Sequence, residues 1–456
     1  MRKAWIVTVA LSLAAYAASS QRTQPVLQSP TLAVTNVTLL DGTGGPARRN
    51  VTVLIRGARV AAITPARAFT LSPGTRQLDG RGKFLLPGLC DAHAHIRHGT
   101  RTLELFIAHG VTCIRQMFDD MQQIRVQREG IERGELLGPR FLTIAGGWPD
   151  SVTGDRATAV ADSLRSLGAT FFKIGTTITP ESFQALRREA ARLGMPFLGH
   201  LPLAVPLSDL IASEMRSIEH MAFLELSFTT KPELRDSILA TITRNDAAAR
   251  AAFYAQTLAT VSAARRDSLL RLMAARRLWI TPTLVNHQRA AMAGDSAFES
   301  DPRLRDIAES TKVAWRQSRY ARPRTAEQRA LAKSQFAFQR ALVRRMSELG
   351  VPILAGSDAG DVYNYDGSSL HDELRLLVDA GLPTAKALDA VTRAPVVAAG
   401  AQDSLGTVEV GKVADLVLID ADPRTDIRNL TRLAAVVLGG KVIDRDSLRS
   451  LRLRGR

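Results

Sequence analysis

Residues 31 to 87 alternate apolar and polar positions, as in LAVTNVTLLDG and NVTVLIRGARVAAI, with glycine and proline turns between the runs. A period of two predicts short antiparallel strands with one buried face. Residues 407 to 445 repeat this texture in TVEVGKVADLVLID and LAAVVLGGKVID. Two strand-rich segments so far apart predict one small β-sandwich domain built from both chain ends.

Between them the pattern changes. Short apolar runs recur, each after a Gly or Pro turn and each before a helix-periodic stretch. They are FLLPGLCDAH (84–93), GVTCIRQM (110–117), PRFLTIAGG (139–147), ATFFKIG (169–175), MPFLGH (195–200), RSIEHM (216–221), LWITPTL (278–284) and VPILAGSD (351–358). Strand and helix alternating in this way imply parallel strands, and eight such units match a TIM barrel. The expected fold class is therefore α/β, a (β/α)8 TIM barrel with a small β-sandwich. The expected boundaries are 31–87 and 396–447 for the sandwich, 88–395 for the barrel, and 448–456 for a C-terminal tail. Residues 222–275 and 286–345 are Ala- and Arg-rich insertions, expected as extended barrel helices or lids.

Composition adds an address. Arg2 and Lys3 precede an apolar run, Ala4 to Ala18, and Ala15-Tyr16-Ala17 fits a small-residue cleavage site. The run is shorter than the ~20 residues a bilayer span needs. Residues 1–20 read as a signal peptide and 21–30 as a linker. No later stretch is apolar enough to span, so the mature chain is expected outside the cytoplasm, periplasmic or secreted.

The net charge of +16 and pI near 10.6 raise the question of nucleic acid. The arginines are spread along helices among acids, as in RRDSLLRLMAARR, and aromatics are only 5%. No nucleic-acid partner is expected, and a small-molecule or dipeptide substrate is. A homo-oligomer is neither required nor excluded. Cys90 and Cys113 lie in apolar strand-like runs, which favours two buried thiols over a pair.

Catalytic groups of a TIM barrel sit at the C-terminal ends of strands. The first strand ends in Asp91-Ala92-His93-Ala94-His95, where the alternation aims both imidazoles to one side. The fourth carries Lys173, the fifth ends at His200, the sixth at His220, and the eighth in Gly356-Ser357-Asp358. Four of the chain's 8 histidines thus stand at strand ends. One such residue means little, but this set is a ligand constellation.

The set and its flanks, LLPGLCDAHAHI, GVTCIRQM, IEHM, AGSDAG and GTVEVGKVADLVLID, resemble the amidohydrolase superfamily. The likeness is strongest to its imidazolonepropionase-like group, which includes Xaa-Pro dipeptidases. The resemblance implies two divalent metal ions. His93, His95 and Asp358 would hold one, His200 and His220 the other, and Lys173 would bridge them as a CO2-derived carbamate. Lys173 itself fits: it lies in a strand interior, where an ordinary ammonium is costly, and arginine, the chain's usual cation, cannot form a carbamate. Imidazole and carboxylate donors suit Zn best.

A water bridging two such ions loses a proton near neutral pH. The resulting hydroxide would attack a carbonyl carbon, with Asp358 as general base and then acid. His220 would also orient the carbonyl. The expected reaction is hydrolysis of the amide C–N bond of a dipeptide or N-acyl amino acid. A cyclic-amide hydrolase or deaminase is the alternative, and a non-catalytic binding protein on this scaffold a third. Arg115, His287 and Tyr363 are candidate substrate-binding residues. Two features depart from the group: Gln116 stands where Asp is expected, and the loop Gly146–Asp150 is short and lacks His.

Overall fold

The computed structural model describes residues 31–453, apart from 67–70, 98, 293–297, 299 and 319–324. The expected signal peptide and linker, residues 1–30, lie outside the described residues, and no helix among those described is long and apolar enough to cross a membrane.

The N-terminal strands are β1 (Leu32–Leu39), β2 (Arg48–Arg56), β3 (Arg59–Pro65), β4 (Arg76–Asp79) and β5 (Phe84–Pro87). They join β13 (Leu416–Ile419), β14 (Leu433–Leu438) and β15 (Lys441–Asp444) in one mixed sheet, ordered β15-β14-β13-β5-β1-β2-β3, with β4 also on β1. Register shifts within the β1–β2 pairing interrupt the ladder, as β-bulges do when they bend a strand. Val34, Val53, Leu85, Leu416 and Val437 close over a core separate from that of the barrel. The apolar alternation seen at both chain ends is this inner face.

Seven parallel strands form the barrel wall: β6 (Leu89–Ala94), β7 (Val111–Gln116), β8 (Arg140–Gly147), β9 (Phe171–Ile174), β10 (Phe197–Gly199), β11 (Met215–Glu219) and β12 (Trp279–Thr281). The eighth run closes the ring through parallel bridges Ile280↔Ile353 and Ala94↔Ala359. The Ala92 N–H donates to Ala355, and the Asp358 N–H to His93, at 2.9 and 2.8 Å. Gly356 permits this approach, because a Cβ there would meet His93 Cβ at 2.7 Å. Phe84–Pro87 pairs in the mixed sheet and Leu89–Ala94 in the barrel wall, so the chain changes sheets at Gly88.

Both insertions are helical. After β11 come Leu234–Thr243, Ala247–Ala259 and Ala263–Arg276; after β12 come Leu284–Ala291, Glu309–Gln317 and Ala326–Glu348. Two expectations need correction. The tail is an amphipathic helix, Arg445–Leu453, whose buried Leu448 and Leu451 share one face and pack it onto the helix Thr100–Ala108. Cys90 and Cys113 are register partners on β6 and β7, 4.6 Å apart at Cα, and are joined as a disulfide. The apolar surroundings suggested separate thiols; the strand register decides otherwise.

Candidate metal centre and active site

The mouth of the barrel opens on a cavity of about 740 Å³, whose walls include His95, Lys173, His200, His220, His287 and Asp358. His93 lies just beneath, fully buried. Its Nε2 and that of His95 are each 3.3 Å from Asp358 Oδ1. Ligand atoms of His93, His220 and Asp358 lie within 4.8 Å of one another, close enough to share one ion. The Lys173 Nζ is 3.5 Å from His93 Nε2, and the ring of His220 lies 4.5 Å from that of His93 and 5.0 Å from that of His200. The six predicted ligands therefore share one bowl.

Sequence reasoning missed what holds them. His93 Nδ1 meets Glu219 Oε2 at 2.8 Å. Arg115 donates to Glu219 Oε1 at 2.6 Å and to Ser217 Oγ at 3.1 Å, and Ser217 donates to Glu219 at 2.5 Å. Burial would raise the Glu219 carboxyl, but Arg115 and the His93 bond outweigh it and hold the group well below the usual carboxylate range. An ionised Glu219 only accepts, so His93 Nδ1 carries the proton and the Nε2 lone pair faces the cavity. His95 Nδ1 likewise faces the Phe118 carbonyl at 3.0 Å and Asp119 at 3.3 Å, which turns its Nε2 toward Asp358. His220 Nδ1 is fixed by Thr283 Oγ1 at 2.7 Å, and His200 Nδ1 by Thr176 Oγ1 at 3.3 Å. A carboxylate in a strand core, as in SIEH, is costly unless paired; that was the available signal for Glu219.

Burial also shifts the titrating groups. It drives the Lys173 amine below its ordinary value, the His200 imidazole down to about 3, and His220 well below its usual value. Neutral imidazoles are the forms that donate lone pairs to a metal; burial would lower His95 too, but its bonds to Asp119 and Asp358 outweigh it and raise that imidazole. Burial would raise Asp358, but His220, His93 and His95 hold it well below the carboxylate range. Asn286 Nδ2 donates to its Oδ2 at 2.5 Å. The donors thus fit divalent cations: lone pairs converge while their second atoms are tied off.

The backbone is strained at this rim. His220 and Asp358 have φ of 65° and 54°, as do Phe118 (46°), Phe223 (68°), Thr283 (46°) and Tyr363 (58°). Such conformations cost ~1–3 kcal/mol each and cluster at functional sites. Asn364 Nδ2 donates to the Asp358 carbonyl at 3.2 Å, steadying one of them.

Two expected substrate contacts are corrected. Arg115 is 2% exposed and spent on Glu219, so its guanidinium does not reach the cavity. Tyr363 packs against Trp315 and Phe298 at 5.3 and 6.2 Å rather than lining the cavity wall. His287 does line the cavity, with its Nε2 accepting the Met221 N–H at 3.3 Å. Gln116, the departure on β7, donates to Asp119 at 2.9 Å and accepts from Ala145 N–H at 3.1 Å. The short loop after β8 places Trp148 and Asp150 in the cavity wall.

The sequence model of the "Amidohydrolase family" matches residues 84–443. Among curated proteins, Adenine deaminase 3 of Rhizobium meliloti (strain 1021) is 38% identical over 76 residues, 16% of this chain and 12% of that protein. N-acyl-D-aspartate deacylase of Alcaligenes xylosoxydans xylosoxydans is 40% identical over 62 residues, 14% of this chain and 12% of the other. The chain thus matches only about an eighth of the length of these relatives. Of solved structures, a bottromycin amidohydrolase superposes with TM-score 0.73 at 25% identity, covering 92% of this chain and 89% of the other. A Xaa-Pro dipeptidase with bound methionine superposes at 0.66 and 20% identity, over 91% and 99%; that likeness concerns the fold.

Proposed function

We propose that this chain, which belongs to the amidohydrolase family, hydrolyses the amide C–N bond of a dipeptide or N-acyl amino acid. The observation that carries the reading is Lys173 Nζ, buried 3.5 Å from His93 Nε2. A lysine there, pushed toward its neutral form, suits carbamylation and bridging better than any structural role.

Two divalent ions, most suitably Zn, would be held by His93, His95 and Asp358 and by His200 and His220, with carbamylated Lys173 between. When bound they would polarise a carbonyl and acidify a water. The chain's own groups do the rest. Asp358 accepts the proton of the attacking water and returns it to the leaving nitrogen. Asn286 holds the second carboxylate oxygen, which leaves Oδ1 as the working atom. His220, fixed by Thr283, orients the carbonyl. Trp148, Leu201 and Phe223 wall the cavity and exclude water from one side.

A second reading, deamination or opening of a cyclic amide with a single ion, is favoured by the short matches to adenine deaminases. It would leave Lys173 without a task. The deciding experiment is a hydrolysis screen of the metal-loaded chain on dipeptides, N-acyl amino acids, lactams and aminopurines. Turnover of the first two classes supports the proposal; turnover confined to the last two sinks it. The apolar leader further supports an exported enzyme, and a Cys90–Cys113 bond would persist in an oxidising compartment.

A further inference from the structure

A second cavity, of about 300 Å³, lies inside the barrel on the side away from the metal centre. Part of its wall comes from residues that precede the ligands on the same strands: Phe171 stands two before Lys173, Leu198 two before His200 and Ser217 three before His220. Arg115, Thr143 and Arg216 supply further polar groups, and no aspartate or glutamate lines it among the described residues. Local geometry aims these donors inward. Arg115 and Thr143 are register partners on β7 and β8, so their side chains share the inner face. Between the pairs Phe197↔Met215 and Gly199↔Ile218, Arg216 and Ser217 stand opposite Leu198 alone. That is the two-against-one count of a β-bulge, which re-aims a side chain, and it brings Arg216 to the wall that Ser217 shares.

These donors outnumber the acceptors the protein gives them. Arg115 bonds through Nη2 alone, to Ser217 and Glu219, so its Nε and Nη1 have no acceptor among the described residues. Arg216 has no ion-pair or hydrogen-bond partner among them. The Thr143 hydroxyl is buried and also unpartnered, which is rare for a buried polar atom. Two guanidinium charges therefore share one carboxylate, Glu219. What completes such a set is a ligand made only of acceptors and carrying negative charge. We propose that this cavity binds one small oxyanion of the sulfate or phosphate class, held by Arg115 Nε and Nη1, by Arg216 and by the Thr143 hydroxyl. Arg115 then stands between two anions, Glu219 on the side of the metal centre and the ligand on the other. The site is independent of the reaction proposed at the mouth.

The test is a calorimetric titration of sulfate into the zinc-loaded full chain at constant ionic strength, with each variant shown to be folded by circular dichroism. Sulfate is the probe because phosphate precipitates zinc. The wild type should show one saturable site per chain. Arg216→Met should raise the Kd at least about ten-fold, as the loss of a charge-assisted contact gives. Thr143→Val, which keeps the shape and removes the hydroxyl, should raise it about three- to five-fold. Arg188→Met, in the outer groove that Arg216 also lines, controls for the general attraction of a chain of net charge +16. It should change the Kd by less than about two-fold. The absence of a saturable site, or a Kd unchanged in Arg216→Met or in Thr143→Val, would overturn the proposal; sulfate held at the zinc ions would give the latter result. A loss in Arg188→Met equal to that in Arg216→Met would also overturn it, and would mean an adventitious ion only.

Discussion

Arg115 and Arg97 both stand near the ligand imidazoles, and they are held in opposite ways. Arg115, on the floor, is 2% exposed and locked to Glu219 at 2.6 Å. Arg97, on the rim, is 45% exposed, with no carboxylate among the described residues nearer than 3.6 Å. The floor repeats the first pattern: Asp91 accepts from Ser357 N–H at 3.0 Å, from its hydroxyl at 2.5 Å and from His93 N–H at 3.1 Å. The rim repeats the second, with Phe118 58% exposed. A rigid, over-determined floor suits chemistry that tolerates little displacement, whereas a loosely filled rim suits recognition of something the protein does not contain.

The sharpest way to break this contrast is Lys173→Ala. It should lower kcat/KM by about three orders of magnitude or more, ~4 kcal/mol in the transition state, with the fold intact by circular dichroism. A loss under about ten-fold would make the lysine structural.

Next is Glu219→Gln, which leaves Arg115 a buried, unpaired charge. Removing one member of a buried pair costs roughly 3–5 kcal/mol, readable as a fall in denaturant midpoint. It should also weaken metal binding about 10–100-fold, because His93 loses its fixed tautomer. Adding Arg115→Met should restore stability without restoring metal affinity. Recovery of both would mean that Glu219 acts on folding alone.

Glu373 gives a smaller, pH-dependent effect. Its Oε2 accepts the Val285 N–H at 2.8 Å at the start of the helix that carries Asn286 and His287. Burial raises its carboxyl from 4.5 to about 8. Between those values the folded chain holds a proton that the unfolded chain has released. Stability therefore falls as pH rises through that window, by up to ~1.4 kcal/mol per unit from this group, and levels off above about 8. Glu373→Gln should flatten the decline in melting temperature between pH 6 and 9; an unchanged slope would show that the group is not protonated at neutral pH.

The smallest change in stability is expected at the rim. Phe118→Ala should shift unfolding by no more than ~0.5 kcal/mol, yet raise KM for substrates with aromatic side chains over those with small ones. An equal change for both would remove Phe118 from the specificity surface.

The same division explains what was legible in the sequence. Barrel runs and strand-end ligands repeat with the period of the structure, so His93, His95, Lys173, His200, His220 and Asp358 could be picked out by position. The partner of a buried charge carries no such period. Arg115 reads from sequence as a cation near a strand end, and only the sheet places it against Glu219, 104 positions away. Cys90 and Cys113 pair through register, which apolar flanks do not encode. Tyr363 follows a ligand in the chain, but its left-handed backbone turns it toward Trp315. The C-terminal helix was legible in principle, through Leu448 and Leu451, but a short terminal segment reads easily as a tail.

The central claim is that Lys173 joins two metal sites, and metal content tests it most directly. Elemental analysis of the full chain, saturated with zinc and bicarbonate and then desalted, should find about two ions per wild-type chain and one or fewer in Lys173→Ala. One ion in both proteins would contradict the account.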